Sequence, residues 1–169
     1  HPEYYALVNG RRQPNQLCHT NEDVIRLSVE KTLQIFREHP EVTITAIGPN
    51  DGRGFCDCPD CKILDEANGG RSGSFFHFVN RIAEGVKKEF TDNHLISLAY
   101  LDYATPPTNL KVDPYIIIQL CTDSHAWRYQ FCFFTESDEY QQKIKAWSAA
   151  GANLFIWDYV TDYVHYLVP

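Results

Sequence analysis

The sequence predicts an α/β fold in which parallel strands form a (β/α) barrel or a partial barrel, with four recognisable strands and three recognisable helices. Two observations lead to this prediction. The apolar runs are of strand length and nearly continuous, as in strands that are buried on both faces. Segments with helical periodicity alternate with these runs, which is the order found in parallel α/β proteins. The predicted strands cover residues 42–48, 95–103, 115–121 and 154–160.

The first predicted helix precedes the first strand. Asn21 can cap this helix, and Glu22 and Asp23 suit the positive end of its dipole. Pro40 ends the helix before strand 42–48 begins. The apolar stripe of the helix consists of Ile25, Val29, Leu33 and Phe36.

The second predicted helix begins near Ser74 and leads to strand 95–103. Its apolar face carries Phe75, Phe78, Val79, Ile82, Val86 and Phe90. The link 104–114, which follows strand 95–103, contains Pro106, Pro107 and Pro114. Because proline interrupts helices, we expect no crossover helix between the second and third strands.

The third predicted helix covers residues 137–150 and leads to the last strand. Ser137 is its expected N-cap, and Gly151 is placed to end it. The side chains expected to face the core are Tyr140, Ile144 and Trp147.

A single domain over residues 1–169 is expected, because neither a linker nor an internal repeat divides the chain. Four strands are only half of an eight-stranded barrel, whose typical length is about 250 residues. The chain also contains no methionine. We therefore expect a piece of a longer polypeptide, or a barrel that further domains or subunits complete.

Charge and hydropathy exclude two classes of partner. The formal net charge is −7, with 15 Lys and Arg against 22 Asp and Glu, so nucleic acid is not an expected partner. No apolar stretch approaches the roughly 20 residues of a membrane-spanning helix. Six cysteines are many for a cytosolic enzyme of this size, which favours export.

Polar and aromatic side chains follow each predicted strand. The segments are Asn50-Asp51-Gly52, Tyr100-Leu101-Asp102-Tyr103, Thr122-Asp123-Ser124-His125 and Trp157-Asp158-Tyr159. Ligands of barrels and open α/β sheets bind at the carboxyl ends of the strands. For any one of these aspartates, capping of a turn explains its position equally well, but four in succession favour a site.

Carboxylates beside tyrosine and tryptophan favour a carbohydrate site, since aromatic rings stack on sugars while acids transfer protons. Glycoside hydrolysis commonly needs two carboxyl groups, and Asp51, Asp102 and Asp158 are the candidates. When the substrate's acetamido group is the nucleophile, the Asn50-Asp51 pair could orient it. For His125, a structural role in a hydrogen bond is favoured over a catalytic one.

The segment Cys56-Asp57-Cys58-Pro59-Asp60-Cys61 brings three thiols together within six residues. Cys56, Cys58 and Cys61 could hold a zinc ion with a distant fourth ligand. The candidates for that ligand are Cys18, His19, Cys121 and Cys132. Structural disulfides explain the segment equally well, and a redox CxxC motif at Cys58 and Cys61 is the third reading.

Several motifs along the chain resemble the bacterial family catalogued as domain of unknown function 4838, part of which is grouped as glycoside hydrolase family 163. They are HPEYYAL at 1–7, QLC at 16–18, NDG at 50–52, the CxCxxC of 56–61, SGS at 72–74, LAY at 98–100, LC at 120–121, IWDYVT at 156–161 and HYL at 165–167. The resemblance extends over nearly the whole chain.

This resemblance implies a TIM-barrel glycosidase relative. For characterised members it implies an endo-acting, retaining β-N-acetylglucosaminidase that cuts complex N-glycans with participation of the substrate's acetamido group. Asp51 would orient the acetamide or act as the acid, and Asp102 would be the second carboxylate. The expected substrate contacts are Asn50, Tyr100, Tyr103, His125, Trp157, Asp158 and Tyr159.

Two functional hypotheses follow from the sequence. The first is a secreted, periplasmic or surface glycosidase that acts on N-acetylglucosamine-containing glycans and requires no cofactor. The second is a non-catalytic carbohydrate-binding or structural interaction domain on the same scaffold, within an extracellular assembly.

Overall fold

The computed structural model describes residues 1–121 and 138–157, and for residues 138–140 only the backbone is considered. The helices of these residues are α1 (Glu22–Glu38), α2 (Pro59–Ala67), α3 (Ser72–Val86) and α4 (Asp138–Ala149). The strands are β1 (Tyr5–Val8), β2 (Arg11–Leu17), β3 (Ile44–Ala46), β4 (His94–Ala99), β5 (Ile116–Cys121) and β6 (Asn153–Trp157). None of the helices described is long and apolar enough to cross a bilayer.

The predicted parallel sheet is confirmed. It has four strands in the order β3-β4-β5-β6, and each neighbouring pair is parallel. The strands lie side by side in chain order without a reversal, which is the order of a (β/α) barrel rather than of a doubly wound sheet. As expected, no helix lies in the link 104–114 between β4 and β5.

The first two strands of this sheet are shorter than the sequence predicted. Instead of 42–48, β3 comprises only Ile44–Ala46, and β4 ends at Ala99 rather than at residue 103. A 3-10 turn, Leu101–Tyr103, follows β4, and its first residue has a φ of +46°. An extended strand cannot continue through a left-handed residue, which explains the early end. The predicted residues 158–160 of the last strand lie outside the described chain.

A hairpin and a helix are present that the sequence reading did not predict. Strands β1 and β2 pair antiparallel around Asn9 and Gly10, whose φ angles are +50° and +74°. Asn-Gly is the preferred dipeptide for such a two-residue turn, so this signal was present in the sequence. Helix α2 begins at Pro59, directly after Cys58.

The three predicted helices are confirmed as α1, α3 and α4. The Asn21 side chain caps α1 by accepting a hydrogen bond of 3.0 Å from the backbone N–H of Val24. On α4, Trp147 is fully buried as expected, and its Nε1–H donates a 2.8 Å hydrogen bond to the Ala104 carbonyl oxygen. This bond fastens α4 to the link that follows β4.

The main core lies between α3 and the parallel sheet. The largest side chains with almost no exposed surface include Phe75, Phe76, Ile82, Leu95, Ile116, Ile118, Leu120 and Trp147. A second, smaller cluster lies beside the hairpin and consists of Ala6, Cys18, Cys56, Cys58 and Cys61. The cysteines therefore form a packing centre separate from the main core.

At Gly73, α3 lies against the backbone of α2. A β-carbon at this position would lie 2.3 Å from the Leu64 carbonyl oxygen and 2.9 Å from the Asn68 β-carbon. Real β-carbons essentially never come this close to a backbone atom, so only glycine fits without a shift of a helix.

We expect Gly73→Ala to destabilise the protein by about 1–3 kcal/mol, because the added methyl group overpacks a contact with backbone atoms. Gly48→Ala is the matched control, because a β-carbon there would meet no atom within 4 Å. Urea unfolding of both variants measures the difference. Equal stability of the two would show that α2 and α3 can separate freely.

Candidate functional site

The ends of β3 and β4 bring predicted site residues to one edge of the sheet. Asn50 and Asp51 follow β3, and both are exposed. Tyr100 and Asp102 follow β4, with Asp102 exposed and Tyr100 half-buried. Because β3 and β4 are parallel neighbours, their carboxyl ends meet at the same edge.

Tyr103 ends the 3-10 turn that follows β4. It is buried, and its ring packs on Phe75 and Phe55 with centroid distances of 4.8 and 5.6 Å. Burial raises the pKa of Tyr103 to about 12, and ionisable neighbours act in the same direction. These neighbours are Cys121, Asp51, Tyr100 and Asp102. Three strand ends thus contribute groups around one phenol.

Leu101 adds backbone strain at the same edge. It is one of two non-glycine residues with positive φ among the described residues, and half of its side chain is exposed. Such a conformation costs on the order of 1–3 kcal/mol and is concentrated at functional sites. The unusual φ starts the 3-10 turn Leu101–Tyr103, which contains Asp102.

A side-chain clamp fixes the start of the segment that carries Asp51. Gln16 on β2 is buried, and its Nε2–H donates a 2.7 Å hydrogen bond to the Asn50 carbonyl oxygen. Its Oε1 accepts a 3.0 Å bond from the Asn50 backbone N–H. The Asn50 side chain in turn donates a 2.7 Å bond to the Asn15 carbonyl oxygen. One residue before Asp51, the backbone is therefore held on both sides.

Of the remaining predicted contacts, the structure describes Trp157. It ends β6, opposite Cys121 in the register, and 46% of its surface is exposed. It therefore lies at the same carboxyl edge as the groups around Tyr103. His125, Asp158 and Tyr159 lie outside the described residues.

The cysteine segment acquires its fourth thiol from Cys18, one of the candidates that the sequence named. The sulfur atoms of Cys18, Cys56, Cys58 and Cys61 all lie within 4.8 Å of one another, and all four residues are buried. Cys18 Sγ is 3.6 Å from Cys56 Sγ and 3.7 Å from Cys58 Sγ. All four are free thiols, and this cluster could bind a metal ion.

Hydrogen-bond donors surround the sulfur atoms. The Leu7 backbone N–H donates to Cys56 Sγ at 3.3 Å, and Arg12 Nη1 lies 3.8 Å from the same sulfur. Thr20 Oγ1 lies 3.3 Å from Cys61 Sγ. The hydrogen bond from Cys56 lowers the pKa of Cys18. The hydrogen bonds that Cys61 makes with Cys18 and Cys56 raise the pKa of Cys61.

The other readings of the cysteines fare less well. A redox CxxC motif needs an accessible thiol, but Cys58 and Cys61 are 5% and 0% exposed. The cluster does not include Cys121, and His19, although adjacent to Cys18, packs against Phe75 and Phe78 instead. Burial lowers the pKa of His19 to about 4, so its ring is neutral at pH 7. Cys132 lies outside the described residues.

An ion-pair network beside the cluster was not found from the sequence. Arg71 donates a 2.7 Å bond to Asp57, a 2.9 Å bond to Asp65 and a 3.2 Å bond to the Cys56 carbonyl oxygen. Asp65 also accepts a 2.8 Å bond from the Ser74 backbone N–H. The network joins the cysteine segment, α2 and the start of α3. No short motif marks it, because its members meet only after the chain folds.

The comparisons with known proteins give one result. The family model described as "Domain of unknown function (DUF4838)" matches residues 1–169. No curated protein and no solved structure matches the chain.

We expect Asp65→Asn to destabilise the protein by about 2–4 kcal/mol, since the partly buried Arg71 guanidinium then loses a charged partner. Asp60→Asn is the control on the same helix, because Asp60 is exposed. Guanidinium unfolding measures both variants. A loss for Asp65→Asn no greater than for the control would contradict the role given to the network.

Proposed function

Because the chain belongs to the family described as domain of unknown function DUF4838, we propose that it is a glycoside hydrolase acting on N-acetylglucosamine-containing glycans. The observation that supports the proposal is that Asp51 and Asp102, which follow neighbouring parallel strands, are both near enough to Tyr103 to raise its pKa, as Tyr100 does. Two acids beside aromatic rings are what glycosidic chemistry and sugar binding require.

In the proposed reaction, one carboxyl group protonates the leaving oxygen of the glycosidic bond. The other stabilises the positive charge that develops on the sugar ring. In the endo-acting, retaining form, the acetamido oxygen of the substrate attacks the anomeric carbon, and Asp51 orients that group. Asp102 is then the second carboxylate, and it donates the proton to the leaving oxygen as the glycosidic bond breaks. In the second step it takes a proton from the water that attacks the anomeric carbon and releases the sugar. Both residues are exposed, so a glycan can reach them.

The aromatic residues divide by accessibility. Tyr100 and Trp157 are accessible and are proposed to contact the faces of sugar rings. Tyr103 is only 5% exposed, so its proposed role is to pack beneath the exposed site residues rather than to stack on a sugar ring. Asn50, His125, Asp158 and Tyr159 complete the proposed set of substrate contacts.

No cofactor takes part in the proposed glycosidic step. For the four cysteines, zinc is the proposed ion, because it prefers tetrahedral sites made of thiolates. The proposed location is secreted, periplasmic or on the cell surface, where complex N-glycans are encountered. Further domains or subunits are proposed to complete the barrel.

A non-catalytic carbohydrate-binding or structural domain on the same scaffold is the second candidate. It is favoured by the two outer strands of the described sheet, β3 and β6, because each forms one lateral edge of the sheet and has one neighbouring strand there. Ile44 on β3 and Phe155 and Ile156 on β6 are exposed apolar residues at these edges, as expected of an interaction surface.

We expect Asp102→Asn to lower the release of glycan by about 10²- to 10⁴-fold, the usual contribution of a general acid or base. Asp51→Asn should also lower it, because a neutral amide stabilises the attacking acetamido group less than a carboxylate does. The measurement uses a labelled complex N-glycan and the intact protein. Asp92→Asn is the matched control, because Asp92 is exposed and precedes β4, at the opposite edge of the sheet.

The same assay separates the two candidates. Undiminished release by Asp51→Asn would overturn the role of Asp51. Binding of glycan by a folded wild-type protein that releases none of a broad panel would establish the non-catalytic alternative.

A further inference from the structure

We infer that Cys18, Cys56, Cys58 and Cys61 form a structural zinc centre that holds the Asn50-Asp51 segment in place at the edge of the sheet. The zinc centre itself is independent of the proposed glycosidase function. Only the consequence for Asp51 as a catalytic residue rests on that function.

The spacing of the sulfur atoms fits a tetrahedral zinc ion. With Zn–S bonds of about 2.3 Å, the sulfurs of a regular tetrahedron lie about 3.8 Å apart. Cys18 Sγ lies 3.6 Å from Cys56 Sγ and 3.7 Å from Cys58 Sγ, and no separation in the cluster exceeds 4.8 Å. In a disulfide the sulfurs would lie about 2.05 Å apart. The cluster is therefore close to the size that the ion needs.

The surroundings of the cluster suit bound thiolates. The Leu7 backbone N–H and Arg12 guanidinium direct hydrogens at Cys56 Sγ, and the Thr20 hydroxyl is within reach of Cys58 and Cys61. Such donors disperse the excess negative charge of a tetrathiolate and orient its ligands. Cys58 is also the N-cap of α2, and Cys61 lies in its first turn, where the helix dipole favours anions.

Four buried sulfurs leave no coordination position for water or substrate. Catalytic zinc sites keep such a position open, whereas structural sites are closed by four protein ligands. The zinc ion displaces the thiol protons when it binds. Because the site is closed, the function of the ion is to join the segments of chain that carry the four cysteines.

The segments it would join are those that fix Asp51. Cys18 directly follows β2, and Gln16 on β2 clamps Asn50 through its two hydrogen bonds. Cys56 lies at the other end of the Asp51 segment, where the Asp57 backbone N–H donates a 2.8 Å bond to the Leu7 carbonyl oxygen. Both ends of the segment are thus attached to the same hairpin.

Support between these ends is uneven. Asp51, Gly52 and Arg53 are exposed and the segment has no regular secondary structure, whereas Phe55 is buried against Tyr103. The position of Asp51 therefore depends on the attachments at the two ends, and loss of the centre removes one of the attachments that hold the Cys56 end. Gln16 and the four cysteines are positioning residues for Asp51.

The first experiment measures metal in the intact protein purified under reducing conditions without added metal. We expect about one zinc ion per chain, and cobalt in its place should give the visible spectrum of a tetrahedral thiolate complex. Cys56→Ser and Cys61→Ser should lose the ion. Cys121→Ala is the matched control and should retain it, because Cys121 is a buried free thiol outside the cluster.

The second experiment measures hydrogen exchange of the peptide 49–58. Removal of zinc from the wild-type protein by a chelator should speed its exchange at least about tenfold, while a peptide from β5 should keep its protection. Gln16→Ala should free the Asn50 end and retain the zinc. This variant and the chelated wild type make the test independent of whether the cysteine variants fold.

Each outcome decides a separate part of the inference. A protein that holds no metal, and whose four cysteines resist alkylation when it is purified without reductant but react after reduction, would replace the zinc centre by two disulfides. Bound zinc whose removal leaves exchange in 49–58 unchanged would overturn the positioning role. Because neither measurement uses a glycan, the glycosidase proposal can fail while the zinc centre stands.

Discussion

The meeting of four sulfur atoms from two distant parts of the chain is the constraint on which the rest of the candidate site depends. Cys18 and Cys58 are 40 residues apart in sequence, and their sulfurs lie 3.7 Å apart. Everything between them, including α1 and β3, must fold so that this contact forms. The hairpin, the Asp51 segment and the start of α2 then take their positions from one point.

A second set of interactions connects the cysteine cluster to the main core. Arg71 connects the Cys56 backbone to Asp65 on α2, and Asp65 holds the start of α3 through Ser74. Because α3 supplies much of the core that packs on the sheet, the small cysteine cluster and the large apolar core are mechanically linked. At the carboxyl edge, Tyr103 belongs to that apolar core and packs on Phe75 of α3.

Sequence periodicity was sufficient for the parallel sheet and the three long helices, since continuous apolar runs and amphipathic stripes are local signals. It overestimated the lengths of β3 and β4, and β4 ends early because of the positive φ of Leu101, which a leucine in the sequence does not signal. The β1–β2 hairpin has a local signal in Asn9-Gly10, but this is a turn signal, which the periodicity of helices and strands does not include. Gln16 and Arg71 could not be assigned roles, because their partners lie 34 and 14 residues away and are chosen by the fold. Cys18 was found as one of four alternatives, and only the fold selected it.

The separation between Cys18 and Cys58 also has a consequence for how the chain reaches its native state. A zinc ion bound to both cysteines would close a ring of chain that contains α1 and β3. While the ion stays bound, the unfolded chain can adopt only the conformations in which this ring is closed. For a ring of this size, the chain-entropy model for a persistent cross-link gives a loss of conformational entropy in the denatured ensemble worth about 4 kcal/mol. Zinc bound early would thus shorten the conformational search for the first βα unit, while zinc bound late would act as a lock on a unit already assembled.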